Sequence, residues 1–412
     1  MIWTIIHIID YALWFFMAAS VAYCAFFAIA LLFSPHKRHE YPTTRQNKFL
    51  VLFPAYNEDK VIVDSIHQFL KQDYSTTLYE VVVISDNMSD ATNQKLGEYP
   101  ITLLTPDFEK SSKAKALQYV ISIIKEKGER RDESGIANPL QHPTPNTQHL
   151  TFDYVVVLDA DNIVNPDFLL RLNQLCNAGY EAIQCHRCAK NANNGVAVLD
   201  GASEEINNSL FRLAHNNLGL SSALIGSGMC FRYDWFASNV FHLQTAGEDR
   251  ELEALLMKQN VYIKYAKDIH VLDEKVTSHD NFQRQRLRWM TAQVQSLTNM
   301  LPYIPKAILS GNINFIDKTI QQALIPRSIL LVGLCFFALL MSVIVPVWSI
   351  KWWILLICLV ISLIIALPSS MRTHTLLSHT IALPGLVWRM LMNLLHIDRK
   401  NTDFLHTTHE EN

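Results

Sequence analysis

Tyr154-Val-Val-Val-Leu-Asp-Ala-Asp161 is the stretch that decides the fold of this chain. The apolar run from Tyr154 to Leu158 reads as a buried strand, and it delivers Asp159 and Asp161 to its C-terminal tip. Open α/β sheets bind ligands in the crevice outside the carboxyl ends of their strands. Two carboxylates one residue apart at such a tip suit a hard divalent cation, Mg²⁺ or Mn²⁺, bridging a diphosphate.

Working outward, Lys48-Phe-Leu-Val-Leu-Phe53 ends at Pro54 and reads as a first buried strand. Val61, Ile62, Ser65, Ile66, Phe69 and Leu70 then recur at helical spacing. Tyr79-Glu-Val-Val-Val-Ile84 is a second strand ending at Ser85-Asp86, and Ile101 to Thr105 a shorter one. A helix is expected over Ser111 to Lys125, with Ala116, Leu117, Val120, Ile121 and Ile124 on one face. Residues 128–150 carry Pro139, Pro143 and Pro145 among Asn, Gln and His and read as a loop insertion. Pro166 opens another helix after the Asp159 strand. Strands alternating with helices imply an α/β domain whose sheet is mostly parallel and covered on both faces.

Only 18% of the 412 residues are charged and 50% are hydrophobic, against about 25% charge in an average soluble protein. The shortfall sits in three uncharged stretches, Tyr11 to Phe33, Ser328 to Ser349 and Trp352 to Ser370. Each is near the ~20 residues a helix needs to cross a bilayer. No Lys or Arg precedes the first and no small-residue cleavage site is clear, so it reads as a retained anchor rather than a secretory signal. Lys37, Arg38, Arg45 and Lys48 follow the first stretch, Arg327 precedes the second, and Arg372, Arg389, Arg399 and Lys400 follow the third. By the positive-inside rule the region from 35 to 327 and the C-terminus are cytosolic at the inner cell membrane, with a short exterior link near Ile350-Lys351. Residues 291–326 and Leu376 to His396 are amphipathic, fit either to lie among headgroups or to pack on the catalytic region. A net charge of −3 gives no case for nucleic acid. The seven cysteines read as free thiols, and Cys185-His-Arg-Cys188, lacking a second ligand pair, reads as a packed pair rather than a zinc site. The apolar stretches contain no ionisable group, Asp10 lying just outside the first, which argues against a transport subunit.

Five segments carry chemistry in a fixed order: Pro54-Ala-Tyr-Asn-Glu58, Ser85-Asp-Asn-Met-Ser-Asp90, Asp159-Ala-Asp161, Gly247-Glu-Asp-Arg250 and Gln285-Arg-Leu-Arg-Trp289. Each alone has an ordinary structural explanation, such as a helix cap for Glu248 and Asp249 or an interfacial helix for the last. In this order, between apolar stretches, they resemble family 2 glycosyltransferases over residues 48–295. The likeness is to the membrane-bound branch of cellulose, chitin and hyaluronan synthases and ceramide glucosyltransferase.

The resemblance implies a GT-A catalytic domain over 36–296, an anchor at 1–35, an interfacial segment at 297–326, two spans within 327–370 and an interfacial helix and tail at 371–412. It places Pro54, Tyr56, Glu58, Asp86, Lys113 and Asp159 around a UDP-sugar and Asp161 on the metal. Asp249 becomes the general base. Gln285, Arg288, Trp289, Glu248 and the turn Gly226-Ser-Gly228 fall to the diphosphate and acceptor. Ser111-Ser112 before Lys113 and Gln118 after Leu117 depart from the usual Gly and Asn. Gln184 is a further candidate for the cleft lining. A divalent ion and a guanidinium offset diphosphate charge, a carboxylate takes the acceptor proton, and a Trp face suits a pyranose. One base and no second nucleophile imply inversion, hence a β-linked product. The acceptor is a growing polysaccharide, delivered through this protein, an oligomer or a secretion partner, or alternatively a membrane lipid.

Overall fold

The computed structural model describes residues 2–33, 45–134, 152–191, 195–245, 247–275 and 279–372. In chain order the elements begin with helix α1 (Ile2–Leu32), β1 (Phe49–Tyr56), α2 (Ile62–Phe69), β2 (Tyr79–Asp86), α3 (Asp90–Leu96), β3 (Thr102–Leu104) and α4 (Lys113–Ser134). Next come β4 (Tyr154–Val157), β5 (Ile163–Val164), α5 (Phe168–Asn177), β6 (Ala182–Ala189), α6 (Gly195–Asn207) and α7 (Ala214–Asn217). Then follow β7 (Met229–Arg232), α8 (Tyr233–Asn239), α9 (Glu248–Lys258), β8 (Ile263–Asp273) and α10 (His279–Met300). The chain continues with α11 (Ile304–Leu309), α12 (Ile313–Ala323), α13 (Arg327–Ile344) and α14 (Pro346–Ala366). The described residues form two units, one within 45–190 and 223–274 and the other within 2–33, 191–222 and 275–372. The segments 191–222 and 275–296 thus group with the apolar helices rather than with the sheet.

The first unit holds an eight-stranded sheet in the order β3-β2-β1-β4-β7-β6-β8-β5. Strands β3, β2, β1 and β4 are parallel, β6 and β8 are parallel, and β7 and β5 run the other way. This is the mostly parallel α/β arrangement expected from the alternation of patterns. Strand β1 runs two residues past Pro54, because β4 pairs only as far as Leu52 and the missing proline N–H lies beyond that ladder. Leu50, Val51, Leu52, Val156 and Val157 are buried on both faces, as a sheet covered on both sides requires. Helix α4 continues to Ser134, past the expected end at Lys125 and into the segment expected to be a loop; residues 135–151 lie outside the described ones.

The second unit contains three helices long and apolar enough to cross a membrane, within Thr4–Leu32, Arg327–Ile344 and Pro346–Ala366. The break between the last two falls at Val345-Pro346, not near Ile350-Lys351, because a proline cannot donate to the preceding turn and starts a new helix instead. Lys351 stays inside α14 because its charge is met: its ammonium pairs with Asp10 of α1, and Trp352 Nε1 donates to the same carboxylate at 2.9 Å. Asp10 is itself within α1 and buried. In the 291–326 region, Leu301, Ile308 and Ile320 of the amphipathic pattern are exposed, and so are Leu309 and Ile313 beside it. The amphipathic stretch from Leu376 lies outside the described residues.

A polar knot ties α1, α7 and α12 together. Tyr23 Oη donates to Asp317 at 2.7 Å and lies 3.0 Å from His215 Nε2, while Phe27 stacks flat on the imidazole at 3.7 Å. His215 Nδ1 donates to the Leu210 carbonyl at 2.7 Å, leaving Nε2 to accept from Gln321 Nε2 at 2.9 Å. Burial pushes the His215 imidazole below its ordinary value, outweighing Asp317, so the 3.2 Å contact between them is a neutral-imidazole contact rather than an ion pair. A group that folds neutral stabilises above its unfolded value of 6.5 and loses that contribution as pH falls through it. The thermal midpoint is therefore expected to drop on acidification from about pH 8 to about pH 5.5, and His215→Asn to flatten that part of the profile. A midpoint curve unchanged in shape by the substitution would show that the imidazole does not titrate against folding.

Candidate active site

The tips of β1 and β2 lie side by side, with Tyr56 paired to Asp86 in parallel register. Each strand leaves its tip through an asparagine in the left-handed region, Asn57 at φ 55° and Asn87 at φ 56°. Asn87 Nδ2 donates to Asn57 Oδ1 at 2.6 Å, locking the two exits together. Glu58 follows, its backbone N–H on Met88 Sδ at 3.0 Å. Burial pushes the Asp86 carboxyl above its ordinary value, opposed by a hydrogen bond with Ser111. Ser112 Oγ accepts from the Lys115 N–H at 3.2 Å, the bond of an N-cap. The two serines that depart from the family pattern thus have local work, one on Asp86 and one at the start of α4.

At the next strand tip, Asp159 and Asp161 are fixed by their neighbour Asn162. Asn162 Oδ1 accepts from the Asp159 N–H at 3.0 Å, and its Nδ2 donates to Asp161 Oδ1 at 3.0 Å and to Asp273 Oδ1 at 3.4 Å. Asp161 Oδ2 accepts from the Glu274 N–H at 2.9 Å, which holds both of its oxygens in place. Asn162 also accepts from the Ser227 hydroxyl, so Ser227 turns inward and is buried rather than facing an acceptor.

Antiparallel β7 follows that turn and sets it beside the two aspartates. Gly226 and Gly228 have φ of 79° and 63°, a region that non-glycine side chains rarely tolerate. A Cβ on Gly228 would lie 2.9 Å from Val271 Cγ2 and 3.2 Å from Cys185 Cβ. Gln184 is fully buried and clamps the turn rather than lining a cleft: its Nε2 donates to the Ser227 carbonyl at 2.8 Å and its Oε1 accepts from the Ile225 N–H at 3.0 Å. Glu253 accepts from the Leu224 N–H at 2.7 Å. Cys185 and Cys188 are both free thiols.

Glu248 and Asp249 open α9 against this turn, where the helix dipole favours acidic side chains. Lys113 completes the cluster: its ammonium donates to Asp159 and, at 2.6 Å, to the Gly226 carbonyl, with Glu248 Oε1 at 3.4 Å. Burial pushes the Glu248 carboxyl up to about 7; Lys113 opposes the shift and Asp249 and Asp159 add to it. Burial alone would lower the Lys113 ammonium, but Asp159 and Glu248 hold it above its ordinary value. Among the described residues no three acidic, histidine or cysteine side chains are gathered closely enough to hold a metal by themselves; Asp159 and Asp161 offer two carboxylates, the number with which a hard divalent ion completed by phosphate oxygens is commonly held.

Of the residues expected at the site, Pro54, Tyr56, Glu58, Asp86, Lys113, Asp159, Asp161, Gly226 to Gly228, Glu248 and Asp249 all lie in the sheet unit. Gln285, Arg288 and Trp289 lie on α10 of the other unit. There Arg286 pairs with Asp200 and stacks over the Trp289 ring at 4.6 Å. Asn162, Asp273 and Glu253 were missed. Asn162 adjoins the Asp159-Ala-Asp161 motif in sequence, which is the one signal that pointed to it.

Residues 154–392 match the model of glycosyl transferase family group 2, and residues 50–127 match that of glycosyl transferase family 2. A short segment of 52 residues is 40% identical to the poly(ribitol-phosphate) beta-N-acetylglucosaminyltransferase TarS of Staphylococcus aureus, covering 13% of this chain. The matched stretch spans about a tenth (9%) of the length of that curated relative. Among solved structures, the mannosyltransferase PcManGT from Pyrobaculum calidifontis, in complex with GDP-Man and Mn²⁺, superposes with a TM-score of 0.51 at 15% identity, covering 93% of this chain and all (100%) of that one. At that identity the likeness is one of fold.

Asn162→Ala removes the bonds that fix both aspartates and the Ser227 hydroxyl, and is expected to lower stability by about 1–3 kcal/mol. Urea unfolding that gives the wild-type midpoint would show that water replaces the amide without cost. Gly228→Ala forces both a strained φ and a close contact, and is expected to cost about 2 kcal/mol or more; a thermal midpoint equal to wild type would contradict the tight packing of this turn.

Proposed function

This chain belongs to glycosyl transferase family group 2, and on that premise we propose that it is an inverting membrane glycosyltransferase moving a sugar from a UDP-sugar, UDP-GlcNAc or UDP-Glc, onto a growing polysaccharide. The observation that carries the reading is the convergence of Asp159, Glu248 and Asp249 around one cation at the carboxyl ends of parallel strands, with Asp161 two residues from Asp159. TarS, by its name a β-N-acetylglucosaminyltransferase, supports N-acetylglucosamine among the candidate sugars.

Tyr56 and Asp86, adjacent at two strand tips, receive the nucleoside, with Pro54 and Glu58 beside them. Asp159 and Asp161 would hold a divalent ion, Mg²⁺ or Mn²⁺, which when bound would offset the charge of the diphosphate. Asp249 takes the proton of the acceptor hydroxyl as that oxygen bonds to the anomeric carbon. The anomeric carbon–oxygen bond breaks with its electron pair going to the diphosphate. One displacement inverts the centre, so an α-linked donor gives a β-linked product. Glu248 is a poorer base because burial favours its protonated form near neutral pH. The roles of Gln285, Arg288 and Trp289 toward the diphosphate and acceptor rest on the resemblance.

Three long apolar helices and the exposed Ile308, Leu309 and Ile313 support a protein held at the cytosolic face of a membrane. Among the described residues there are three such helices, few for a polymer-extruding enzyme, which favours a membrane lipid as the alternative acceptor. Purified full-length protein offered a panel of UDP-sugars with Mg²⁺ or Mn²⁺ is expected to release UDP from one of them in an EDTA-sensitive way. Immobile polymer identifies a polysaccharide acceptor, whereas an organic-soluble product formed only with added lipid identifies a glycolipid. Folded Asp249→Asn is expected to lose about 10²–10⁴-fold in turnover; full activity would remove Asp249 from the base role.

A further inference from the structure

Arg327, the first residue of α13, turns its guanidinium onto α6 instead of out to water. Its Nη2 donates to the Asn207 side-chain oxygen at 2.6 Å, to the Ser203 carbonyl at 3.1 Å and to the Ser203 hydroxyl at 3.5 Å. The group also lies over the Phe211 ring, 5.7 Å from its centroid. All of these partners are neutral. Nη1 is buried with no hydrogen-bond partner. Among the described residues no carboxylate lies within ion-pair distance of this charge. The acids of α6 are engaged elsewhere: Glu204 has Arg212 at 3.3 Å and Lys275 at 3.9 Å, and Asp200 is paired with Arg286. Even with Glu205, the remaining acid of α6, the cations Arg212, Lys275, Arg286 and Arg327 outnumber the acids by four to three. One positive charge is left over, and a cation withdrawn from water without an anion is costly.

An arginine that only fixes orientation at the membrane faces water, whereas this one faces protein. Its fork of five N–H donors suits phosphate oxygens, and the protein uses only those on Nη2. From Ser328 to Ser349 the chain after Arg327 carries no charge, which sets Arg327 at the depth of lipid headgroups. Arg327 is half-buried, so a headgroup can approach it. Basic pockets between transmembrane helices take lipid phosphates in this way. We propose that Arg327, with Asn207 and Ser203, forms a binding site for the phosphate of a phospholipid headgroup, which supplies the missing countercharge. The site lies within the helix unit and uses none of the strand-tip carboxylates. The inference rests on the reading of α13 as a membrane span.

The test follows the thermal midpoint of full-length protein in detergent micelles, delipidated until native mass spectrometry finds no bound lipid. The micelles are then doped with phosphatidylglycerol, with diacylglycerol, which lacks the phosphate, or with inorganic phosphate. The wild type is expected to rise with phosphatidylglycerol and not with diacylglycerol. Asn207→Asp puts a carboxylate where an amide oxygen now accepts from Arg327, and so supplies the countercharge from within. It is expected to melt above the wild type without lipid, and to need on the order of tenfold more phosphatidylglycerol for half of any remaining rise. Arg327→Met is expected to lose the response and Arg327→Lys to keep it. A purely structural anchor predicts instead that Arg327→Met melts lower with and without lipid, its response unchanged. If Arg327→Met does not fold, Asn207→Asp decides: a rise equal to that of the wild type would overturn the site. A wild type that does not respond to phosphatidylglycerol would overturn it as well, and one that responds equally to inorganic phosphate would overturn the lipid as its ligand. A chain that carbonate releases from membranes without detergent would instead bring down the membrane-span reading, and this inference with it.

Discussion

Acidic groups can be gathered at one end of a sheet only if something offsets their repulsion, and the sheet unit is arranged around that requirement. Asp159, Asp161, Glu248 and Asp249 come from two separate segments of the chain. Each is met differently: Asp159 by the Lys113 ammonium, Asp161 by one amide of Asn162 and one backbone N–H, and Glu248 by burial that lets it hold a proton near neutral pH. The helix start beneath Glu248 and Asp249 adds a favourable dipole. The turn through Gly226 and Gly228 exists to let these pieces meet, since any side chain at Gly228 would push Val271 and Cys185 aside.

The same rule governs two buried polar clusters in the unit of long helices. Tyr23, His215, Asp317 and Gln321 form one closed set, and Asp10, Lys351 and Trp352 another. The second set also has the Lys351 ammonium 3.7 Å from the centre of the Tyr11 ring, a cation–π contact that an apolar setting strengthens.

How much of this was legible in the sequence depends on how local each signal is. The strands at Phe49, Tyr79 and Tyr154 announce themselves as apolar runs, and the carboxylates at their tips follow from strand direction alone. Antiparallel β7 is four residues long, and nothing in Met-Cys-Phe-Arg says which strand it joins or in which direction. The Lys113–Asp159 contact spans forty-six residues of separation, with no periodicity to betray it. Ser227 is a binding candidate only through the family resemblance of its glycine-rich turn, and only packing shows its hydroxyl facing Asn162. The helix break at Pro346 was written in the sequence, but a reading of charge alone placed it at Lys351, whose charge is concealed by a partner at position 10.

That partnership has a consequence for how the chain is made. An aspartate inside an apolar helix opposes entry into hydrocarbon until a countercharge arrives, and for Asp10 the countercharge is more than three hundred residues away in sequence. During synthesis the first helix must wait, unpaired, through the whole of the sheet unit before α14 appears. It therefore behaves less like an independent anchor than like one half of a clasp, and exchanging it for a generic apolar segment would leave Lys351 to be buried alone.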